Sequence, residues 1–296
     1  MKAMSAPTTP PALLTAVAAH LDTPVADGTL VRHHGTQVWL LPRPHAIVRI
    51  MATAHTDAAQ RALTLTRWLH DQGLPVTEPL VDTLFAHQDQ VATVWHYYAQ
   101  PAEAAPTPAD LGHLLAQLHR LGTPPPSLST TLPEFAPLAP LNATLDHTTT
   151  LPPELTADLK ARIKDLLAAY AELTFPLGAG LIHGDAWLGN VLYNNQGTPI
   201  LGDWDECAHG PRELDLANLW QGRRFGRTPA ELDAFSRAYG YDLSAWEGMD
   251  VLIRIRDLHT LGSYVRAADR GDTAARDQLL HRIATLDETT TSWITR

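Results

Sequence analysis

The sequence is poor in cysteine and in positive charge, and it has no long apolar run. Cys207 is the single cysteine of 296 residues, which excludes an internal disulfide and a metal site built from cysteines. Lys and Arg number 22 against 32 Asp and Glu, for a formal net charge of −10. Broad nucleic-acid binding needs basic patches, and a membrane-spanning helix needs roughly 20 apolar residues. We therefore expect neither nucleic acid nor membrane among the partners.

The N-terminal segment does not have the layout of a signal peptide. Lys2 is followed by a short apolar run at residues 12–19, but Thr8-Thr9-Pro10-Pro11 stands between them. Cytoplasmic residence is the resulting prediction. Hydrophobic residues make up 45% of the chain and charged residues 18%, a composition typical of a globular protein that buries a core.

The first third of the chain has the alternating apolar pattern of an antiparallel sheet. We predict strands at 30–34, 37–41 and 46–50, a helix at 57–72, and a hairpin formed by 83–87 and 90–98. The stretch 99–109 is rich in Ala and Pro and is the expected boundary between lobes. An N-lobe at 1–98 and a C-lobe at 99–296 follow from this.

Helical spacing dominates the remainder of the chain. Helices are predicted at 110–121, 155–173, 213–220, 229–239, 245–268 and 274–293. The segment 122–153, rich in Pro, Ser and Thr, is predicted to be a long surface loop or lid without secondary structure. The chain therefore has the outline of a small sheet-rich lobe followed by a larger helical one.

Between residues 181 and 205, polar side chains stand at the ends of apolar runs. His183-Gly184-Asp185 follows Leu-Ile, Asn190 lies a few positions further on, and Asp203 follows a second apolar run. This pattern indicates a short hairpin with its polar groups at the rim. A divalent cation that carries a phosphate chain needs hard oxygen ligands, and the acceptor of the phosphate needs a separate base. This spacing supplies both.

Three segments in chain order carry a family resemblance: His183-Gly184-Asp185 with Asn190, Asp203-Trp204-Asp205, and Gly210-Pro211-Arg212-Glu213-Leu214-Asp215-Leu216-Ala217. They resemble the aminoglycoside phosphotransferase family. The strand and helix order of the first third also suits a kinase N-lobe, so the resemblance extends over most of the chain. It implies an α+β, protein-kinase-like two-lobe fold with a small antiparallel-sheet N-lobe and a larger helical C-lobe. It also implies transfer of phosphate from ATP, with Mg²⁺, to a small-molecule hydroxyl.

The resemblance also implies roles for individual residues. Asp185 would accept the proton of the acceptor hydroxyl, and Asn190 and Asp203 would hold Mg²⁺ against the phosphates. His183 would support the loop through a side-chain hydrogen bond. Asp215 would hydrogen-bond the backbone of the same loop, although an ordinary acid at a helix start is an open alternative.

Asp205 and Glu206 are candidate acceptor-binding residues because they lie beside the metal acid. A solvated turn is an equally open interpretation of both. The acceptors implied by the resemblance include aminoglycosides, related antibiotics, choline, homoserine and other small alcohols. Acidity near residues 203–215 favours an amine-bearing, cationic acceptor. The sequence leaves the oligomeric state open.

The N-lobe departs from the family pattern at its nucleotide-binding positions. Arg49 stands where the third strand of such a kinase carries Lys, and Ala62 stands near the position of the Glu that would form an ion pair with that Lys. Arg49 can still contact phosphate oxygens. Instead of a glycine-rich loop there is the turn Gly35-Thr36, which covers phosphates or is a plain hairpin turn. The strand end at the expected hinge, which would offer backbone groups to a purine, comprises Trp95, His96 and Tyr97.

Two other classes of protein fit parts of this pattern. Asp203-Trp204-Asp205 is also similar to the metal motif of nucleotide-sugar glycosyltransferases and to the nucleophile motif of haloacid-dehalogenase-like phosphatases, but both require a parallel α/β sheet. A non-catalytic kinase-like protein that binds a nucleotide or metabolite is the other alternative. Arg49 and the missing Glu favour it, and the intact set of Asp185, Asn190 and Asp203 opposes it.

Overall fold

The computed structural model describes residues 10–288 and 291–294. The helices are α1 Ala12–His20, α2 Thr56–Asp71, α3 Pro108–Arg120, α4 Pro126–Ser129, α5 Ala139–Leu145, α6 Pro153–Ala171, α7 Glu213–Gln221, α8 Pro229–Tyr239, α9 Met249–Asp269 and α10 Thr273–Ala284. The strands are β1 Thr29–His34, β2 Thr36–Leu41, β3 Ala46–Ala52, β4 Pro79–His87, β5 Gln90–His96, β6 Ala179–Ile182, β7 Val191–Tyr193, β8 Pro199–Leu201 and β9 Ala208–Pro211. Every helix within these ranges is too short or too polar to span a lipid bilayer.

The chain divides into two compact units. The first comprises Met1–Ala105 with Leu192–Asp205, and the second comprises Pro106–Val191 with Glu206–Arg296. The segment 192–205 joins the first unit through β8, because Leu201 donates its N–H to Pro75 O and accepts from Thr77 N, both at 3.0 Å. The sequence predicts this segment as part of the C-lobe. The pairing of Leu201 with Pro75 and Thr77 joins stretches that are far apart along the chain, so no local pattern indicates it.

The first unit is built on a five-stranded antiparallel sheet. Its strand order is β1-β2-β3-β5-β4. Alternating residues of β2 and β3, such as Trp39, Leu41 and Val48, are buried with Leu13 and Leu14 of α1. The predicted sheet is therefore present, and it is not the parallel sheet that the glycosyltransferase and phosphatase alternatives require.

The second unit is mainly helical. α3 and α8 pack closely at Gly112, where a Cβ would lie 2.7 Å from the carbonyl oxygen of Phe235. Both helices begin with a capping box, formed at α3 by Thr107 and Asp110. β6 and β9 pair antiparallel, with Ile182 at the end of β6 opposite Ala208 at the start of β9, so the polar loop after β6 begins beside the start of β9. This pairing sets up the site described below.

Two predictions of secondary structure are wrong. The segment 122–153 contains α4 and α5, because proline at the first helical positions starts a helix instead of preventing one. The terminal helix α10 ends at Ala284 instead of continuing to residue 293. Beyond its end, Arg224 donates to the carbonyl oxygens of Thr285 and Leu286 at 3.0 and 2.8 Å, which fixes a non-helical path.

Candidate active site

The loop that follows β6 bends at Gly184. This residue has φ +81°, and a Cβ there would lie 2.2 Å from the carbonyl oxygen of Glu206. Only glycine meets both constraints without a shift of the backbone. The bend directs the chain into Asp185, and Asn190 Nδ2 closes the loop by donating to the backbone oxygen of Asp185 at 2.8 Å.

Asp215 anchors this loop from α7. Its two carboxylate oxygens accept from the N–H groups of His183 and Gly184, each at 2.8 Å, and the side chain is fully buried. His119 Nε2 lies 3.0 Å from the same carboxylate, and its Nδ1 lies 2.8 Å from the hydroxyl of Tyr239. Burial alone raises the pKa of Asp215, but the hydrogen bond and charge of His119 outweigh it and hold the pKa below its usual value.

Asp185 is held from α9 by Arg256. Arg256 Nη2 donates to Asp185 Oδ1 at 2.7 Å, and the Arg256 side chain is only 10% exposed whereas that of Asp185 is 29% exposed. The backbone N–H of Asp185 donates to His183 Nδ1 at 3.3 Å. The carboxylate is thus fixed on one side and open to solvent on the other, as a group that takes a proton from a bound hydroxyl must be.

The two candidate metal ligands lie in different units. Asn190 belongs to the second unit and donates its amide N–H to the backbone oxygen of Asp185, so this contact does not use the amide oxygen. Asp203 belongs to the first unit and has φ +64°, a left-handed conformation that Asp adopts more readily than most non-glycine residues. In the described ranges, no three His, Cys, Asp or Glu side chains are grouped to hold a metal. An amide and a carboxylate suit Mg²⁺, which takes its other ligands from phosphates and water.

Arg49 of β3 is bound to two carboxylates of the first unit. Its Nη2 donates to Asp205 Oδ2 at 2.6 Å and to Asp203 Oδ1 at 3.0 Å, and its Nη1 donates to Asp205 Oδ1 at 3.3 Å. Burial acts to lower the pKa of Arg49, but the negative charges of Asp203 and Asp205 raise it overall. Ala62 is buried in α2, so no carboxylate stands at that position.

The other predicted nucleotide-binding residues of the first unit are at the sheet edge and the end of β5. Gly35 has φ +95° and open space around it, and Thr36 begins β2. Trp95 is buried and donates its Nε1 to Thr93 Oγ1 at 2.8 Å. The backbone N–H groups of His96 and Tyr97 donate to Glu78 and His45, respectively. Nucleotide binding by these residues stays a prediction.

Asp205 and Glu206 are neighbours in sequence with different partners. Asp205 binds Arg49, whereas Glu206 Oε2 lies 3.5 Å from His259 Nε2 on α9. Burial, followed by the charge of Arg256, lowers the pKa of His259 to about 4. His259 is therefore neutral at pH 7, and its contact with Glu206 is not an ion pair there.

The low pKa of His259 predicts a pH-dependent stability. The unfolded chain takes up a proton near the ordinary histidine pKa of 6.5, and the folded chain does so only near 4. The contribution of neutral His259 to the free energy of unfolding is therefore fully present above pH 6.5 and is lost as the pH falls towards 4. We expect His259→Gln to flatten the plot of unfolding free energy against pH in this window, as measured by urea denaturation. An unchanged slope would contradict the prediction.

Sequence reasoning missed three residues of the site in the second unit. Arg256 and His259 lie on α9, which carried no motif, and Trp187 lies in the loop with its side chain 44% exposed and its ring packed on Gly189. One feature could have identified Arg256. It falls on the buried face of α9 with Leu252 and Ile255, and a buried arginine requires an acidic partner.

Comparison with solved structures shows the kinase-like fold. The amicoumacin kinase hAmiN, in complex with AMP-PNP, Ca²⁺ and Ami, superposes with TM-score 0.69 at 16% identity, covering 90% of this chain and 89% of that chain. A choline/ethanolamine kinase family protein from Mesorhizobium loti has TM-score 0.62 at 18% identity, over 93% and 95% of the two chains. The aminoglycoside phosphotransferase APH(3'')-Id from Streptomyces rimosus has TM-score 0.58 at 17% identity, over 83% and 97%.

Sequence comparison identifies the family. A "Probable ketoamine kinase" from Lactiplantibacillus plantarum is 54% identical over 37 residues, a stretch that spans 12% of this chain and 13% of that protein. The model of the family described as "Phosphotransferase enzyme family" (APH) matches residues 30–252, which include parts of both units and every site residue that the sequence predicted. The chain therefore belongs to the phosphotransferase enzyme family, and its two units have the protein-kinase-like fold.

Proposed function

We propose that this protein is a small-molecule kinase that transfers the γ-phosphate of ATP to a hydroxyl group, with Mg²⁺. The observation that supports this most directly is the fixation of Asp185. Arg256 holds one oxygen of its carboxylate, and Asp215 holds the backbone of its loop, so the carboxylate keeps one orientation towards solvent. A preoriented carboxylate is the group that phosphoryl transfer to an alcohol requires from the protein.

In this proposal, Asp185 accepts the proton of the acceptor hydroxyl while the oxygen attacks the phosphorus. Arg256 keeps the carboxylate in place, and Asp215 keeps the loop in place. Asn190 and Asp203 would hold Mg²⁺, which neutralises charge on the phosphates when it is bound. The remaining contribution of the protein is to position the acceptor and the phosphates, because the reaction has little covalent chemistry for side chains to perform.

The acceptor that we propose is a small molecule with a hydroxyl group and an amine. The relatives named above are described as acting on amicoumacin, choline or ethanolamine, aminoglycosides and ketoamines. In this chain, Glu206 is an exposed carboxylate beside a histidine that is neutral at pH 7. Its exposed negative charge favours the approach of a protonated amine, and Asp205 binds Arg49.

An acceptor screen tests the proposal. Purified protein with Mg²⁺ and ATP should release ADP only when a suitable acceptor is added, and the panel should include amino sugars, choline, ketoamines and hydroxylated compounds without an amine. Transfer to an amine-free alcohol alone would contradict the proposed acceptor class. If nucleotide binds but no acceptor in a broad panel accelerates ADP release, the non-catalytic alternative is favoured. The observation that favours this alternative is the pairing of Arg49 with two acids.

Asp203→Ala is expected to weaken binding of Mg²⁺-ATP by at least tenfold, because the variant loses a charged metal ligand. Binding of ATP without metal should change less. Calorimetric titrations with and without Mg²⁺ measure the difference. Equal loss under both conditions would assign Asp203 a role through Arg49 instead of through the metal.

A further inference from the structure

Arg49 has an unusual position for its charge. It lies on the central strand β3, its side chain is 13% exposed, and α2 offers no acid at Ala62. A nearly buried guanidinium requires compensation, since an unpaired charge in such a place is strongly destabilising. The compensation comes from a distant part of the sequence, the segment that follows β8.

The contact between Arg49 and Asp205 is bidentate. Nη1 donates to one carboxylate oxygen at 3.3 Å and Nη2 to the other at 2.6 Å, whereas Arg49 donates to Asp203 through Nη2, at 3.0 Å. A bidentate ion pair fixes the plane of the guanidinium as well as its position. Asp205 therefore determines the orientation of Arg49 more tightly than Asp203 does.

The two carboxylates differ in what a nucleotide would do to them. Asp203 is a candidate metal ligand, so a bound cation competes with Arg49 for its charge. Asp205 can keep its pair with Arg49 throughout. The three hydrogen bonds to the acids use three of the five N–H donors of the guanidinium, which leaves two for phosphate oxygens.

We propose that Asp205 is a positioning residue for nucleotide binding. Its carboxylate holds Arg49 so that the remaining N–H groups face the phosphates, and it replaces the acid that α2 lacks. This inference rests on the proposed function, because it presupposes that the first unit binds ATP. It also gives Asp205 a different role from that of an acceptor ligand.

Nucleotide affinity in Asp205→Asn tests the inference. Asparagine keeps the shape but removes the charge and one of the two acceptors, so Arg49 loses its fixed orientation. We expect the Kd for ATP to rise about 10–100-fold, the worth of a charge-assisted hydrogen bond, both with and without Mg²⁺. Asp203→Ala should affect chiefly the Mg²⁺-dependent binding. The KM for ATP should rise with Kd, while kcat at saturating ATP changes less.

Asp27→Asn is the matched control, since Asp27 pairs with Arg43 on the surface of the same unit at 2.9 Å. Its Kd should equal that of the unchanged protein. Arg49→Lys is a second test that keeps the positive charge. The ammonium group of lysine cannot make the bidentate contact with Asp205. It should weaken ATP binding as well, and this variant decides the matter if thermal melting shows that Asp205→Asn does not fold.

Three outcomes overturn the inference. Unchanged affinity in the folded variants means that Asp205 only balances charge. Tighter binding in Asp205→Asn means that the acids hold Arg49 away from the nucleotide. If the unchanged protein binds no ATP, the proposed function fails together with the inference. If the unchanged protein binds ATP and the variants bind it with the same Kd, the inference alone is refuted.

Discussion

Asp185→Asn is expected to lower kcat by about 10²–10⁴-fold, the usual effect of removing a positioned base. The amide oxygen of asparagine can still accept the hydrogen bond from Arg256, which Asp185 Oδ1 receives at 2.7 Å. The variant should therefore fold normally and bind ATP normally. What it loses is a group that can take the proton of the acceptor hydroxyl, so the loss belongs to the chemical step.

Steady-state kinetics with an acceptor found in the screen measure this effect. The control is Asp233→Asn, which changes an exposed carboxylate on α8 and should leave kcat unchanged. Single-turnover experiments separate the chemical step from product release. Turnover within threefold of the unchanged protein would remove Asp185 from the mechanism.

Asp215→Ala is expected to give the largest loss of stability, about 3–5 kcal/mol in the free energy of unfolding. The side chain is fully buried and accepts from two backbone N–H groups as well as approaching His119. Alanine leaves those buried donors without an acceptor and leaves space behind. Because the donors belong to His183 and Gly184, we also expect the loop that carries Asp185 to lose its order.

Urea denaturation at pH 7 measures the loss, and Asp277→Ala is the control, since Asp277 is exposed on α10 and should change stability by less than about 0.5 kcal/mol. The sign of the pH effect gives a second check. The pKa of Asp215 is lowered in the folded chain, so its stabilisation is present above the ordinary value of 3.8 and is lost as the pH falls further. A change of less than 1 kcal/mol in Asp215→Ala would show that the carboxylate does not hold the loop.

The sequence predicted the fold class and the family, and both are confirmed. Local patterns explain this success. The sheet of the first unit has strands whose alternation is visible in the sequence, and the motif around Asp185 has a fixed spacing along the chain. The errors lie where local patterns mislead. Proline-rich stretches contain α4 and α5, and the end of α10 depends on Arg224, which lies far away in the sequence.

The amino-acid sequence specifies which chemical groups are present and their order along the chain. How these groups pair depends on the tertiary fold. Asp185 meets Arg256 across 71 positions, and Arg49 meets Asp205 across 156 positions. Such pairs depend on the packing of α9 and on the placement of the segment after β8, which no local propensity encodes. For this reason the sequence shows that α2 has no acid at Ala62, whereas the contact between Asp205 and Arg49 is seen only in the fold.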